Sequence, residues 1–179
     1  EKAQDLLIDA FGRAGLARSL PPHQLVTVGD ADHQSAYADG LRARAEPGVI
    51  FAGRLPREQV MELYSTAALF VLPSYHEGLS IAALEAIQSG VPVLLSDIQA
   101  NRDIGLPARN YFAVGSVEDL TAKLAEDPSG YTVPATFDVS AFDWDRIAAQ
   151  TLAQLAEVLP GTVSPIIPGD TSAERREHA

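Results

Sequence analysis

The chain contains no cysteine, which excludes disulfides and thiolate chemistry and is compatible with a reducing, cytoplasmic setting. It has no long apolar run. The longest, Ala67–Leu72, falls far short of the roughly 18 residues that cross a bilayer. Basic residues are scarce: 13 Lys and Arg stand against 24 Asp and Glu, a net charge of −11. Binding a nucleic-acid backbone needs a basic stripe, so nucleic acid is excluded as the main partner. There is no Gly-x-x-x-x-Gly-Lys-Ser/Thr, and no Gly-x-Gly-x-x-Gly follows any apolar run. Nucleoside triphosphatases of the P-loop kind and ordinary NAD enzymes are excluded with them. Methionine occurs once, at Met61, and the start Lys2-Ala3-Gln4-Asp5-Leu6 is amphipathic, unlike a signal peptide. The expectation is that more sequence lies upstream, including a first strand.

What is present suffices for one domain. The 179 residues are 46% apolar, enough for a sizeable core. Leu6, Leu7, Ala10, Phe11 and Ala14 recur at helical spacing. Four short apolar runs follow: Leu25–Val28, Val49–Ala52, Ala68–Leu72 and Val91–Leu95, with a shorter fifth piece at Tyr111-Phe112-Ala113. Helical stretches are expected between them over 32–45, 57–66 and 79–88, then over 117–126 and 143–159. Gly90 stands where a helix C-cap belongs, and Ser116 where an N-cap does. Runs this apolar read as strands buried on both faces. Their alternation with helices predicts βαβ units in an α/β, doubly wound, Rossmann-like parallel sheet. The domain is expected to span 1–159, with 160–179 as a Pro- and Gly-containing tail.

In such a sheet ligands bind beyond the carboxyl ends of the strands. The stretches there are Gly29-Asp30, Gly53–Leu55, Ser74–Ser80 and Ser96–Asn101. The richest is the run from Pro73 to Ala86, which carries Glu77 at a strand-to-helix turn and Glu85 inside the next helix. Unpaired amides of Gly78, Leu79 and Ser80 at that helix start suit an anion. A nucleotide sugar reconciles carboxylates with an anion site, because its central diphosphate is flanked by two hydroxyl-rich rings. Carboxylates accept from hydroxyls and from no phosphate oxygen. Spacing alone carries nothing: 11 glutamates in 179 residues give about 0.7 chance pairs at any fixed separation. Glu118 and Glu126 are such a second pair, on a plain helix.

The context of the first pair is more specific. Residues 1–159 resemble the C-terminal, nucleotide-sugar-binding domain of the group 1 (family 4) retaining glycosyltransferases, which have the two-domain GT-B fold. The resemblance rests on Glu1-Lys2, Val28-Gly29-Asp30, Val49–Gly53 and Pro73–Glu77. It continues through Glu85, Gly90-Val91-Pro92-Val93 and Trp144-Asp145. It implies a sugar donor held by Lys2 on the diphosphate, Leu55 by its backbone near the base, Glu77 on the transferred sugar and Glu85 on the ribose. Gly78, Leu79 and Ser80 would reach sugar and phosphate through their amides. Lys2 and Glu77 would be the catalytic positions, with no metal and no cofactor. The partner implied is an N-terminal acceptor-binding domain of the same protein, through which any peripheral membrane contact would run. The sequence departs from the family at two places: Ala3 replaces a common glycine, and Leu79-Ser80-Ile81 replaces the frequent Phe-Gly-Leu, where Ser80 is expected to narrow the room beside the donor.

Asp30-Ala31-Asp32 could hold a divalent metal, but an Asp between strand and helix is ordinarily an N-cap, and Asp143 is read the same way. Two rival readings share the fold. A receiver module needs a lysine at a late strand end, whereas the only lysines are Lys2 and Lys123. A sugar-nucleotide epimerase would differ in its products. Base, sugar and acceptor are not legible.

Overall fold

The computed structural model describes residues 2–29, 36–45 and 47–158. The chain divides into two compact units, Glu1–Phe137 and Asp138–Ala179. In the first, α1 (Gln4–Arg13) is followed by β1 (Leu25–Val28), α2 (Ala36–Arg44), β2 (Val49–Gly53) and α3 (Arg57–Thr66). Then come β3 (Phe70–Leu72), α4 (Ile81–Gln88), β4 (Val93–Ser96), the short α5 (Gln99–Arg102), β5 (Tyr111–Phe112) and α6 (Val117–Leu124). This is the α/β alternation the sequence implies. All strand pairs are parallel and fall into two ladders, β1-β2 and β3-β4-β5.

One core serves both ladders. Ala3 and the α1 residues Leu6, Leu7 and Ala10 pack with Leu94 of β4, Phe112 of β5, Leu120 and Leu124 of α6, and Tyr131. Leu25 of β1 and Val71 of β3 join the same cluster. Every residue of β4 is buried, as expected for a strand covered on both faces. Leu94 points to α1 and α6, so by the two-residue period Val93 and Leu95 face the other side. In β1 and β2 the expectation fails: Val26 and Val28 of β1 and Ile50 of β2 are exposed, and the remaining residues are only partly buried.

The helix ends follow local chemistry. Ser116 Oγ accepts from the Asp119 amide and caps α6. Gly90, at φ 77°, leaves α4 through the left-handed region that a side chain disfavours. Ala3 occupies that region too (φ 47°, ψ 41°) at the start of α1, and has a Cβ. Its left-handed backbone accounts for glycine being the commoner residue there.

In the second unit, α7 (Trp144–Val158) follows a tight turn over Val139–Phe142. Asp143 accepts from the Asp145 and Arg146 amides, the N-cap anticipated for it. The helix expected over 143–159 belongs to this second unit, and 159–179 lie outside the described residues.

Candidate functional site

The turn after β3 is fixed from below by buried polar groups. Ser74, Ser96 and Asn101 are all fully buried. Asn101 donates from Nδ2 to the Ser96 carbonyl (2.9 Å) and to Ser96 Oγ (3.2 Å). Ser96 Oγ donates in turn to the Ser74 carbonyl at 2.6 Å, tying the end of β4 to the residue after Pro73. The Tyr111 hydroxyl holds α5 from β5 by donating to the Asn101 carbonyl. Buried donors left unpaired would cost about 1–3 kcal/mol each, so these bonds satisfy the Ser96 hydroxyl and the Asn101 amide group as they fix the loop, while Asn101 Oδ1 is buried without a partner among the described residues.

That loop presents Glu77. Its Oε1 accepts from Ser74 Oγ at 2.6 Å and from Lys2 Nζ at 2.7 Å. The side chain is 9% exposed, whereas that of Lys2 is 59% exposed. Burial alone would raise the Glu77 pKa. The hydrogen bonds from Lys2 and Ser74, with the lysine's charge, outweigh it and hold the carboxyl below the ordinary glutamate range. Lys2 and Glu77, separated by 75 residues in sequence, thus form an ion pair.

Helix α4 starts later than the sequence suggests. Ile81 is its first residue, so Gly78, Leu79 and Ser80 form the approach to the helix and not its first turn. Ser80 is the N-cap. Its hydroxyl is buried and accepts from the Ala83 amide. Glu85 falls on the second turn, 20% exposed, and its Oε1 accepts from Arg57 Nη1 at 2.5 Å.

Leu55 stands apart from these carboxylates. It lines an open, mainly apolar cleft of about 400 Å³ with Val26, Ala52, Gln59, Glu62, Leu63 and Thr66, and none of Lys2, Glu77 or Glu85 borders it. The sequence reading missed Ser74, Ser96, Asn101 and Arg57. The strand-end rule marked the stretches holding the first three; no local pattern marks Arg57.

The other candidates resolve simply. Asp97 accepts from the Val114 amide and pairs with Arg102, which ties β4 to the loop after β5. Glu118 pairs with Arg13 at 3.0 Å on the surface, and Glu126 accepts from the Tyr131 hydroxyl. Asp30, Asp32 and Glu1 lie outside the described residues. Among the described residues no group of three or more His, Asp or Glu could hold a metal ion, and no helix is long and apolar enough to cross a membrane.

Comparison with known proteins adds the decisive finding. The family model described as "Glycosyl transferases group 1" matches residues 1–126. The chain belongs to this family. It is 27% identical over 117 residues to O-antigen chain mannosyltransferase B of Escherichia coli, covering 62% of this chain and 31% of that one. To the alpha-maltose-1-phosphate synthase of Mycolicibacterium smegmatis it is 29% identical over 161 residues, 78% of this chain and 42% of the relative. The chain thus spans about a third of the length of such group 1 relatives. Among solved structures, Anabaena HepE in complex with UDP and glucose superposes with a TM-score of 0.65 at 24% identity, covering 88% of this chain and 45% of that one. Sucrose-phosphate synthase from Thermosynechococcus elongatus gives 0.66 at 24% identity, covering 84% and 42%. These likenesses establish the fold as half of a GT-B glycosyltransferase.

Proposed function

We propose that this group 1 domain binds the nucleoside-diphosphate sugar in a retaining, metal-independent glycosyltransferase of the cytoplasm. The observation that carries the reading is the convergence of Lys2 and Ser74 on one carboxylate oxygen of Glu77 at the carboxyl edge of the sheet. Glu77 is ionised and mostly shielded from solvent, so it serves as an acceptor for the hydroxyls of the transferred sugar. A lysine ammonium has three N–H donors. Lys2 uses one on Glu77 and has two for diphosphate oxygens. Contact with both the sugar's carboxylate and the leaving group stabilises charge as the glycosidic bond to phosphate breaks. The amides of Gly78, Leu79 and Ser80 add donors, Glu85 takes the ribose, and Leu55 with its cleft receives the base. The acceptor is assigned to an N-terminal domain of the same protein, and any peripheral membrane contact to that domain.

Calorimetric titration of the 179-residue chain with UDP, GDP, ADP and their sugars tests this. Weak binding of one nucleotide family, with no transfer by the chain alone, is expected. Transfer by residues 1–179 alone, or loss of activity of the whole enzyme in EDTA, would contradict it. Product analysis of the whole enzyme distinguishes transfer from epimerisation.

A further inference from the structure

Arg57 has no place in the assignments above, yet it is the residue that touches the Glu85 carboxylate. We propose that Arg57 is a positioning residue for nucleotide recognition: it orients Glu85 toward the ribose diol. The inference rests on the reading of Glu85 as the ribose acceptor. Arg57 is the first residue of α3, reached from β2 by the turn Gly53-Arg54-Leu55-Pro56. It therefore stands two residues beyond Leu55, at the entrance proposed for the base. Glu85 comes from a different helix, 28 residues on.

The ion pair is not what holds the two helices together. Tyr64 of α3 sets its ring edge-on to Phe70 of β3 at 5.6 Å, and its hydroxyl donates to the Ala82 carbonyl of α4. These partly buried contacts lock α3 against β3 and α4. The Arg57 side chain is 72% exposed, and exposed ion pairs add little to stability. Its consequence is local. A glutamate on a helix surface has three rotatable bonds, and fixing one oxygen by a charged hydrogen bond removes most of that freedom. Oε1 is held by the guanidinium, while Oε2 and the remaining lone pairs accept from the 2′ and 3′ hydroxyls. Binding a diol to a carboxylate already held in place costs less entropy than binding it to a free one.

The test compares a nucleoside diphosphate with its 2′,3′-dideoxy counterpart by calorimetry. Titrations use the unaltered chain, Arg57→Ala, Arg57→Lys, Glu85→Ala and the double variant Arg57→Ala/Glu85→Ala. The unaltered chain is expected to prefer the ribonucleotide roughly ten- to a hundredfold. Arg57→Ala should cut that preference about fivefold with an unchanged melting temperature, and Arg57→Lys should restore most of it. The double variant should match Glu85→Ala, because Arg57 acts through that carboxylate. A preference abolished in Glu85→Ala but intact in Arg57→Ala would overturn this inference and leave the ribose assignment standing. An unaltered chain with no ribose preference, or with no nucleotide binding, would overturn the ribose assignment and this inference with it.

Discussion

Two glutamate pairs in this chain have identical spacing and opposite surroundings. Glu77 and Glu85 flank the start of α4, while Glu118 and Glu126 flank the end of α6. Each of the four has a partner, so partners alone do not distinguish them. Burial and support do. The Glu77 and Glu85 side chains are 9% and 20% exposed, against 78% for Glu118. Glu77 is also carried by a loop pinned through Ser74, Ser96 and Asn101, whereas Glu118 rests on helix propensity and one surface ion pair. A carboxylate becomes a binding group when its surroundings remove its water and its freedom together.

The largest expected effect separates the pairs outright. Glu85→Ala should lower affinity for a nucleoside diphosphate, with or without its sugar, roughly ten- to a hundredfold, as for lost charged hydrogen bonds. Glu118→Ala and Glu126→Ala should leave both affinities unchanged in the same calorimeter.

A second prediction concerns the support. Ser74→Ala removes the buried donor to Glu77 and should cost about 0.5–1.5 kcal/mol in urea unfolding. It also moves a pH boundary. A carboxylate whose folded pKa lies below its unfolded value adds stability above the unfolded pKa, and the gain is lost as pH falls through the folded one. Glu77 is lowered by Lys2 and Ser74 against the opposing effect of burial, so its contribution survives below the ordinary glutamate range. In Ser74→Ala that contribution should disappear at higher pH. Affinity for the sugar-bearing donor should decline at higher pH as well. Identical acid limbs in the two proteins would show that Ser74 does not tune Glu77.

Smaller effects test the backbone at the first site residue. Ala10 is fully buried within α1, and Ala10→Gly should destabilise by about 1–2 kcal/mol through lost packing and helix entropy. Ala3 is also buried but left-handed. Relief of about 1–2 kcal/mol of strain offsets its lost methyl, so Ala3→Gly should change stability little. A large loss in Ala3→Gly would show that the lysine-bearing turn is not strained.

Much of this was legible in the sequence. Apolar runs located the strands among the described residues, because a strand buried in a parallel sheet is made mostly of apolar side chains. The exception is instructive: β1 exposes Val26 and Val28 and β2 exposes Ile50, since pattern reports what a strand tolerates and not what covers it. The start of α4 was misplaced because an N-cap serine and a helical residue look alike until the Ser80 hydroxyl is seen to accept from Ala83. Ser96, Asn101 and Arg57 act across 22, 5 and 28 residues of sequence, and contacts of this kind between elements leave no periodic signal.

The account's central claim is a division of labour within one eight-residue spacing, sugar to Glu77 and ribose to Glu85. The most direct test is titration of Glu77→Ala with a nucleotide sugar and with the corresponding bare nucleoside diphosphate, its fold checked by thermal melting. The account predicts an unchanged affinity for the bare nucleotide and a loss of roughly tenfold or more for the sugar-bearing donor. Equal losses for both ligands, or no loss for either, would contradict it.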